Sequence, residues 1–257
     1  MHHIVVFYII VAILIFDYLL EQILDYLNAT KRSAKLPEEL KGIYDKEKYR
    51  KSQEYDRSNH KLSIVTSTFN LGILLIFLSL SGFAYVDQIA RSITSNPILV
   101  ALIFFGIIMF ASDIINTPFS IYDTFVIEEK FGFNKTTPKL FITDKLKGWL
   151  IAVIIGGGLL ALIVWFYQKT GPDFWIYAWI LVSLFMIFMT MFYTSLLLPL
   201  FNKLKPLEEG ELKKHITNFC QKVDFQLDNV FVMDGSKRSS KANAFFSGLG
   251  KKKKIVL

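Results

Sequence analysis

The sequence predicts a multi-pass α-helical membrane protein, with about five transmembrane helices, followed by a small cytosolic α+β segment. Three observations carry this reading. First, five apolar stretches, at residues 4–27, 62–86, 98–117, 148–168 and 174–198, match the roughly 20 residues that cross a bilayer at ~1.5 Å each. Second, none of the five contains a Lys or Arg, although the chain has 29 of them. Third, the last thirty residues or so switch to short runs of period-two alternation, the pattern of strands rather than spans.

The charge pattern sets the topology. Residues 28–61 hold 10 Lys and Arg, 87–97 one, 118–147 five, 169–173 one, and 199–257 the remaining 12. Basic connections thus alternate with nearly uncharged ones, the positive-inside pattern. The N-terminus is expected outside and the C-terminal region in the cytosol. This alternation also removes nucleic acid as the explanation of the net charge of +7. A 53% hydrophobic content and a mean hydropathy of +0.40 exceed the about 45–50% of soluble domains. The single Cys220 allows no internal disulfide. The organisation expected is a first helix with its basic connection (1–61), four further helices around an unusual connection at 118–147 (62–198), and a cytosolic helix with a small sheet (199–257).

The first stretch lacks a basic leading region and a small-residue cleavage site, so it reads as a span, not a signal peptide. Asp17, Glu21 and Asp25 are four residues apart and share one face of that helix. An Asp at a span's centre costs about 2.5–3.5 kcal/mol on insertion scales, and such residues usually face a bundle interior or a water-filled cavity. Asn70, Asp113 and Asn116 are candidate companions. In 28–61, Pro37-Glu38-Glu39 suits a helix start, and Tyr44, Tyr49 and Tyr55 suit the headgroup level.

Residues 118–147 carry six aromatics, too many for a solvated linker, so this connection should pack against something. Phe131-Gly132-Phe133-Asn134 reads as a tight turn, with Thr143 and Asp144 capping the fourth span. Gly156-Gly157-Gly158, inside that span, favours close helix packing. After the fifth span, Pro206 is expected to open an amphipathic helix whose face is Leu212, Ile216, Phe219, Cys220 and Val223. Strands are expected at 229–234, 242–247 and 253–257, with turns at 234–236 and 248–250. Lys251–Lys254 reads first as a solvated run that protects a sheet edge, and second as a binder of anionic headgroups.

No metal site is visible. The four histidines, His2, His3, His60 and His215, do not pair at i, i+4 within an H-E-x-x-H. There is likewise no serine nucleophile elbow, no P-loop and no dinucleotide fingerprint.

Three segments carry a family resemblance. VFVMDGSKRSSKANAFFSGLGKKKKIVL at the end of the chain resembles the segment before the zinc helix of the type I CAAX prenyl proteases, integral-membrane zinc metalloendopeptidases. EEKFGFNKTTPKLFITDKLKG and PLFNKLKPLEEGEL resemble the same family, in the same order. In that family an H-E-x-x-H helix follows within a few tens of residues, and none occurs before Leu257. The chain is therefore expected to be the N-terminal portion of such an enzyme, inactive as it stands.

The resemblance implies a hydrated chamber that Asp17, Glu21, Asp25 and Asp113 would line. It implies that Asn243, Ala244, Phe245 and Phe246 form an edge strand that binds substrate through its backbone. Family members often carry His-Ser where this chain has Lys241-Ala242, so position 241 receives no catalytic role. Zinc is the cofactor of the complete enzyme by resemblance, with no ligand supplied by this chain. The partners implied are membrane lipid and a protein or peptide substrate. The membrane would be the cytoplasmic membrane of a bacterium or the endoplasmic reticulum of a eukaryote. Two alternatives stay open: an inactive chaperone or scaffold with the same chamber, and a small transporter that uses the intramembrane acids.

Overall fold

A computed structural model describes residues 2–31, 36–38 and 42–257. Glu39 lies outside them, as do the side chains of His2, His3 and Lys251. The chain forms two compact units, one of Met1–Ile93 and Phe104–Gly132, the other of Thr94–Ile103 and Phe133–Leu257.

In the first unit, α1 (His2–Thr30) and α2 (Lys46–Ser79) pack side by side. Asp45 caps α2, its carboxylate accepting the Lys48 N–H at 2.9 Å. Apolar character extends to residue 86, but the helix does not. It stops at Ser79, Ser81 takes φ +54°, and α3 (Gly82–Ile93) departs in a new direction. A Cβ at position 82 would run into the Phe77 ring, so only glycine admits this close turn. Hydropathy cannot register such a break, because Leu80 to Val86 is as apolar as what precedes it.

The third span overruns its expected end at 117. Pro118 sits inside α4 (Pro97–Tyr122), which continues as a π-helix over Asp123–Glu128. Much of the connection expected at 118–147 is therefore helix. Proline removes one backbone donor, but in lipid the chain has no water to satisfy freed groups and continues the helix instead.

In the second unit, the turn at Phe131-Gly132 leads to Thr137, whose hydroxyl caps α5 (Pro138–Ile151) with Pro138 in the first turn. The cap is thus Thr137, not Thr143 and Asp144. Helix α5 passes through a π-helical stretch, Ala152–Gly156, into α6 (Gly157–Thr170). The chain reverses at Gly171 (φ +56°) into α7 (Phe174–Leu196), and Phe166 stacks on Tyr177 with centroids 5.6 Å apart. Of the glycine run, Gly157 lies at ordinary contact distance from Leu102, 3.7 Å from its notional Cβ, while Gly156 and Gly158 meet nothing within 4 Å among the described residues, so the close packing expected of the run is not what these glycines provide.

After the short α8 (Leu198–Phe201) comes a four-stranded sheet, ordered β1-β2-β4-β3. Pro206 ends β1 (Leu204–Pro206) instead of opening a helix. At a sheet edge its missing N–H costs nothing, and α9 (Glu211–Lys222) begins after Gly210. Strand β2 (Leu227–Met233) pairs antiparallel with β1 and parallel with β4 (Lys253–Val256). Strand β3 (Phe245–Ser247) pairs antiparallel with β4. Val230 and Val256 are fully buried and form the centre of this small core.

Candidate functional site

The sheet has two edges, β1 and β3, and the pairing register of β3 determines which backbone groups it offers. The Leu257 N–H donates to the Phe231 carbonyl, and the Leu257 carbonyl accepts from Met233. Leu257 and, by alternation, Ile255 thus turn both backbone groups toward β2. Lys254 and Val256 turn theirs toward β3, where they face Ser247 and Phe245. Phe246, opposite Ile255, is left with its N–H and carbonyl directed away from the sheet. Its side chain is 69% exposed and packs edge-on against Phe225, with centroids 5.8 Å apart.

Of the four residues expected in the edge strand, Phe245 and Phe246 lie within β3. Asn243 and Ala244 precede it in irregular, exposed backbone. The Ala244 N–H donates to Asn243 Oδ1 at 2.9 Å. The strand is shorter than the alternation suggested: its ladder with β4 runs from Phe245 opposite Val256 to Ser247 opposite Lys254.

Beside β3, an open apolar groove of about 590 Å³ runs between α9 and the sheet. Ile216, Phe219, Cys220, Phe225, Phe245 and Ile255 line it. Only Cys220 of the expected helix face is buried, while Leu212, Phe219 and Val223 remain exposed.

The segment that leads into β3 is anchored at Arg238. Its guanidinium makes a bidentate pair with Asp144 on α5, at 2.6 and 2.9 Å, and also donates to Asn202 Oδ1 and the Phe201 carbonyl. The Arg238 carbonyl accepts from the Lys135 N–H and the Thr136 hydroxyl. A planar fork that satisfies carboxylate, amide and carbonyl together needs arginine rather than lysine. Nothing in the sequence singled this residue out, because it is one of three basic side chains, with Lys237 and Lys241, in a polar turn.

Asp234 supports the same corner. Its carboxylate accepts the Lys203 N–H at 2.7 Å and the Lys237 ammonium at 3.0 Å. Partial burial pushes this carboxyl up, but the two hydrogen bonds and the charges of Lys237 and Arg238 outweigh that and hold it below its ordinary value.

In the first unit, a polar seam joins α1 to α2. Tyr18 bonds Thr68 at 2.6 Å, Gln22 donates to Ser67 at 3.3 Å, and Asp25 lies 3.8 Å from His60 Nδ1. Asn70 donates to Asn116 at 2.9 Å beside a cavity of about 310 Å³. Asp25 therefore faces α2, whereas Asp17 and Glu21 stand exposed on the same helix. Asp113 is half-buried on α4. The acids that share a face by spacing thus divide: one enters the seam and two do not.

A zinc ion needs three or four converging ligands. Among the described residues no group of three or more His, Cys, Asp or Glu side chains converges. His60 approaches Asp25 alone, and His215 is exposed on α9. The described residues do not fit a catalytic zinc site.

Residues 25–203 match the family of CAAX prenyl protease N-terminal regions, described as five membrane helices. Residues 206–257 match peptidase family M48. The chain is 38% identical over 249 residues to CAAX prenyl protease 1 of Saccharomyces cerevisiae, covering 92% of this chain and 55% of the relative. It is 36% identical to CAAX prenyl protease 1 homolog of Arabidopsis thaliana, covering 96% and 60%. The crystal structure of S. mikatae Ste24p superposes with a TM-score of 0.89 at 38% identity, covering 98% of this chain and 61% of that one. The chain thus spans between half and two thirds of the length of these relatives.

Proposed function

The chain belongs to the CAAX prenyl protease family, and from that premise we propose that it is the membrane portion, with the opening of the peptidase region, of a zinc metalloendopeptidase acting on prenylated CAAX-type proteins. It is an integral membrane protein of the M48 metallopeptidase family. In this reading the helices hold the enzyme in the bilayer, and β3 receives the substrate as an added strand. Zinc, when bound in the complete enzyme, would polarise the scissile carbonyl and activate water.

One observation carries the assignment of β3: the outward-directed N–H and carbonyl of Phe246 at this edge of the sheet. Asn243 and Ala244 would join the pairing as the substrate extends the strand, with Ala244 giving up its bond to Asn243. Asp17, Glu21, Asp25 and Asp113 are proposed to face hydrated space, since charge against lipid is costly.

Steady-state cleavage of a prenylated CAAX-type peptide by the intact enzyme tests this reading. Ala244 has the same parity as Phe246 and precedes the β3–β4 ladder, so Ala244→Pro removes an edge donor without breaking that ladder. KM should rise about tenfold, the equivalent of one lost hydrogen bond of ~1–1.5 kcal/mol. Phe245→Ala should shift side-chain preference more than turnover. Normal cleavage by Ala244→Pro would remove strand addition from the mechanism.

A further inference from the structure

One end of the α6–α7 hairpin gathers ammonium groups. Lys147 Nζ donates to the Leu200 carbonyl at 2.9 Å, which sets the start of the fourth span level with the end of the fifth. Strand β4 and the turn that precedes it deliver two more lysines to this end. Lys254 Nζ donates to Ser195 Oγ at 2.9 Å, next to the last residue of α7. Lys252 stands over the Phe192 ring, 5.4 Å from its centroid. Strand alternation sends Lys253 the other way, over Phe225 at 4.5 Å.

The opposite end of the hairpin looks quite different. Around the Gly171 turn are Trp165, Tyr167, Trp175, Tyr177 and Trp179, all between 44% and 68% exposed. Rings of this kind sit at the headgroup level of a bilayer. The 23 residues of α7 span about 34 Å at ~1.5 Å each, enough to cross a ~30 Å hydrocarbon core. With the aromatic end at one interface, Ser195 and the two lysines lie at the other, at the depth of lipid phosphates.

We propose that Lys252, Lys254 and Ser195 form a binding site for the phosphate of an anionic phospholipid, in the leaflet on the side of the C-terminal segment. The donors suit a phosphodiester: two ammonium groups and a hydroxyl, with the Phe192 ring below them at the level of the acyl chains. No ion pair among the described residues involves Lys252 or Lys254. Residues 199–257 hold 12 basic and six acidic side chains, an excess of six positive charges that disfavours a headgroup with its own ammonium.

The site has a consequence for the sheet. Lys254 pairs with Ser247 across the β4–β3 ladder, so a headgroup held on Lys254 fixes the height of the edge strand above the bilayer. The proposal rests on the membrane placement of α7 and not on the peptidase reading.

Native mass spectrometry of the intact protein in a neutral detergent tests it, with phosphatidylglycerol and phosphatidylcholine added at equal concentration. Retention should favour phosphatidylglycerol. The preference should fall about thirty-fold in Lys252→Gln/Lys254→Gln, the equivalent of ~1 kcal/mol per lysine near an anionic surface. It should survive in Lys252→Arg/Lys254→Arg and in Lys213→Gln/Lys214→Gln, two lysines on α9. Equal retention of the two lipids by the unmodified protein overturns the proposal, as does a preference that persists in the double Gln variant. If inorganic phosphate at millimolar concentration displaces phosphatidylglycerol completely, the site binds free anions and its assignment to the membrane fails.

Discussion

At the scale of single residues, the corner that leads into the edge strand depends on two side chains, Arg238 and Asp234. Arg238 joins Asp144, Asn202 and the Phe201 carbonyl, all far from it in sequence. Asp234 makes a measurable contribution through pH. Its folded-state pKa lies below the unfolded value, so its stabilisation is fully present above the unfolded carboxylate value of about 3.9. That stabilisation is lost as pH falls through the lower, folded value. Asp234→Asn should therefore lower the Tm of the detergent-solubilised protein by a constant amount between pH 7 and about pH 5. The gap should close as pH is taken below about 4. Thermal unfolding across that range checks it, and a gap unchanged at the acid end would contradict the linkage.

Among elements, the β3–β4 hairpin depends on one backbone position. Gly248 has φ +102°, and a Cβ there would overlap the Lys252 carbonyl. Gly248→Ala should cost the hairpin about 3 kcal/mol, from the left-handed conformation and the clash together. The register makes the outcome specific. The Lys254 and Val256 amides, directed at β3, should lose hydrogen-exchange protection, while Ile255 and Leu257, directed at β2, should keep theirs. Equal loss at all four amides would mean that the register does not govern the opening. Helix boundaries show the same dependence on local steric detail. The Gly82–Phe77 contact ends α2 early, and Pro118 fails to end α4.

At the scale of the whole molecule, the alternating charge argues for an N-out, C-in arrangement. In a Cys220→Ser background, which removes the single native thiol, Ser92→Cys should react with an impermeant maleimide in sealed cells. Ser247→Cys should react only after permeabilisation. Labelling of position 247 from outside would invert the arrangement.

The spans, their alternating basic connections and the sheet-forming tail were legible in the sequence, because hydropathy, charge and alternation are properties of neighbouring residues. So were the turns at Gly132 and at Gly248–Gly250, where glycine takes the positive φ that other residues avoid. Three family-like segments also identified the relationship before any fold was known. Contacts between distant residues decided the rest. The place of Pro206 at a sheet edge and the shorter β3 each follow from which element lies alongside. The division of Asp17, Glu21 and Asp25 between surface and seam depends on how α1 is rotated against α2, which spacing along one helix cannot specify. The Arg238 anchor and the outward face of Phe246 depend on pairing across the fold. A sequence states which residues share a face, but only packing decides what that face meets.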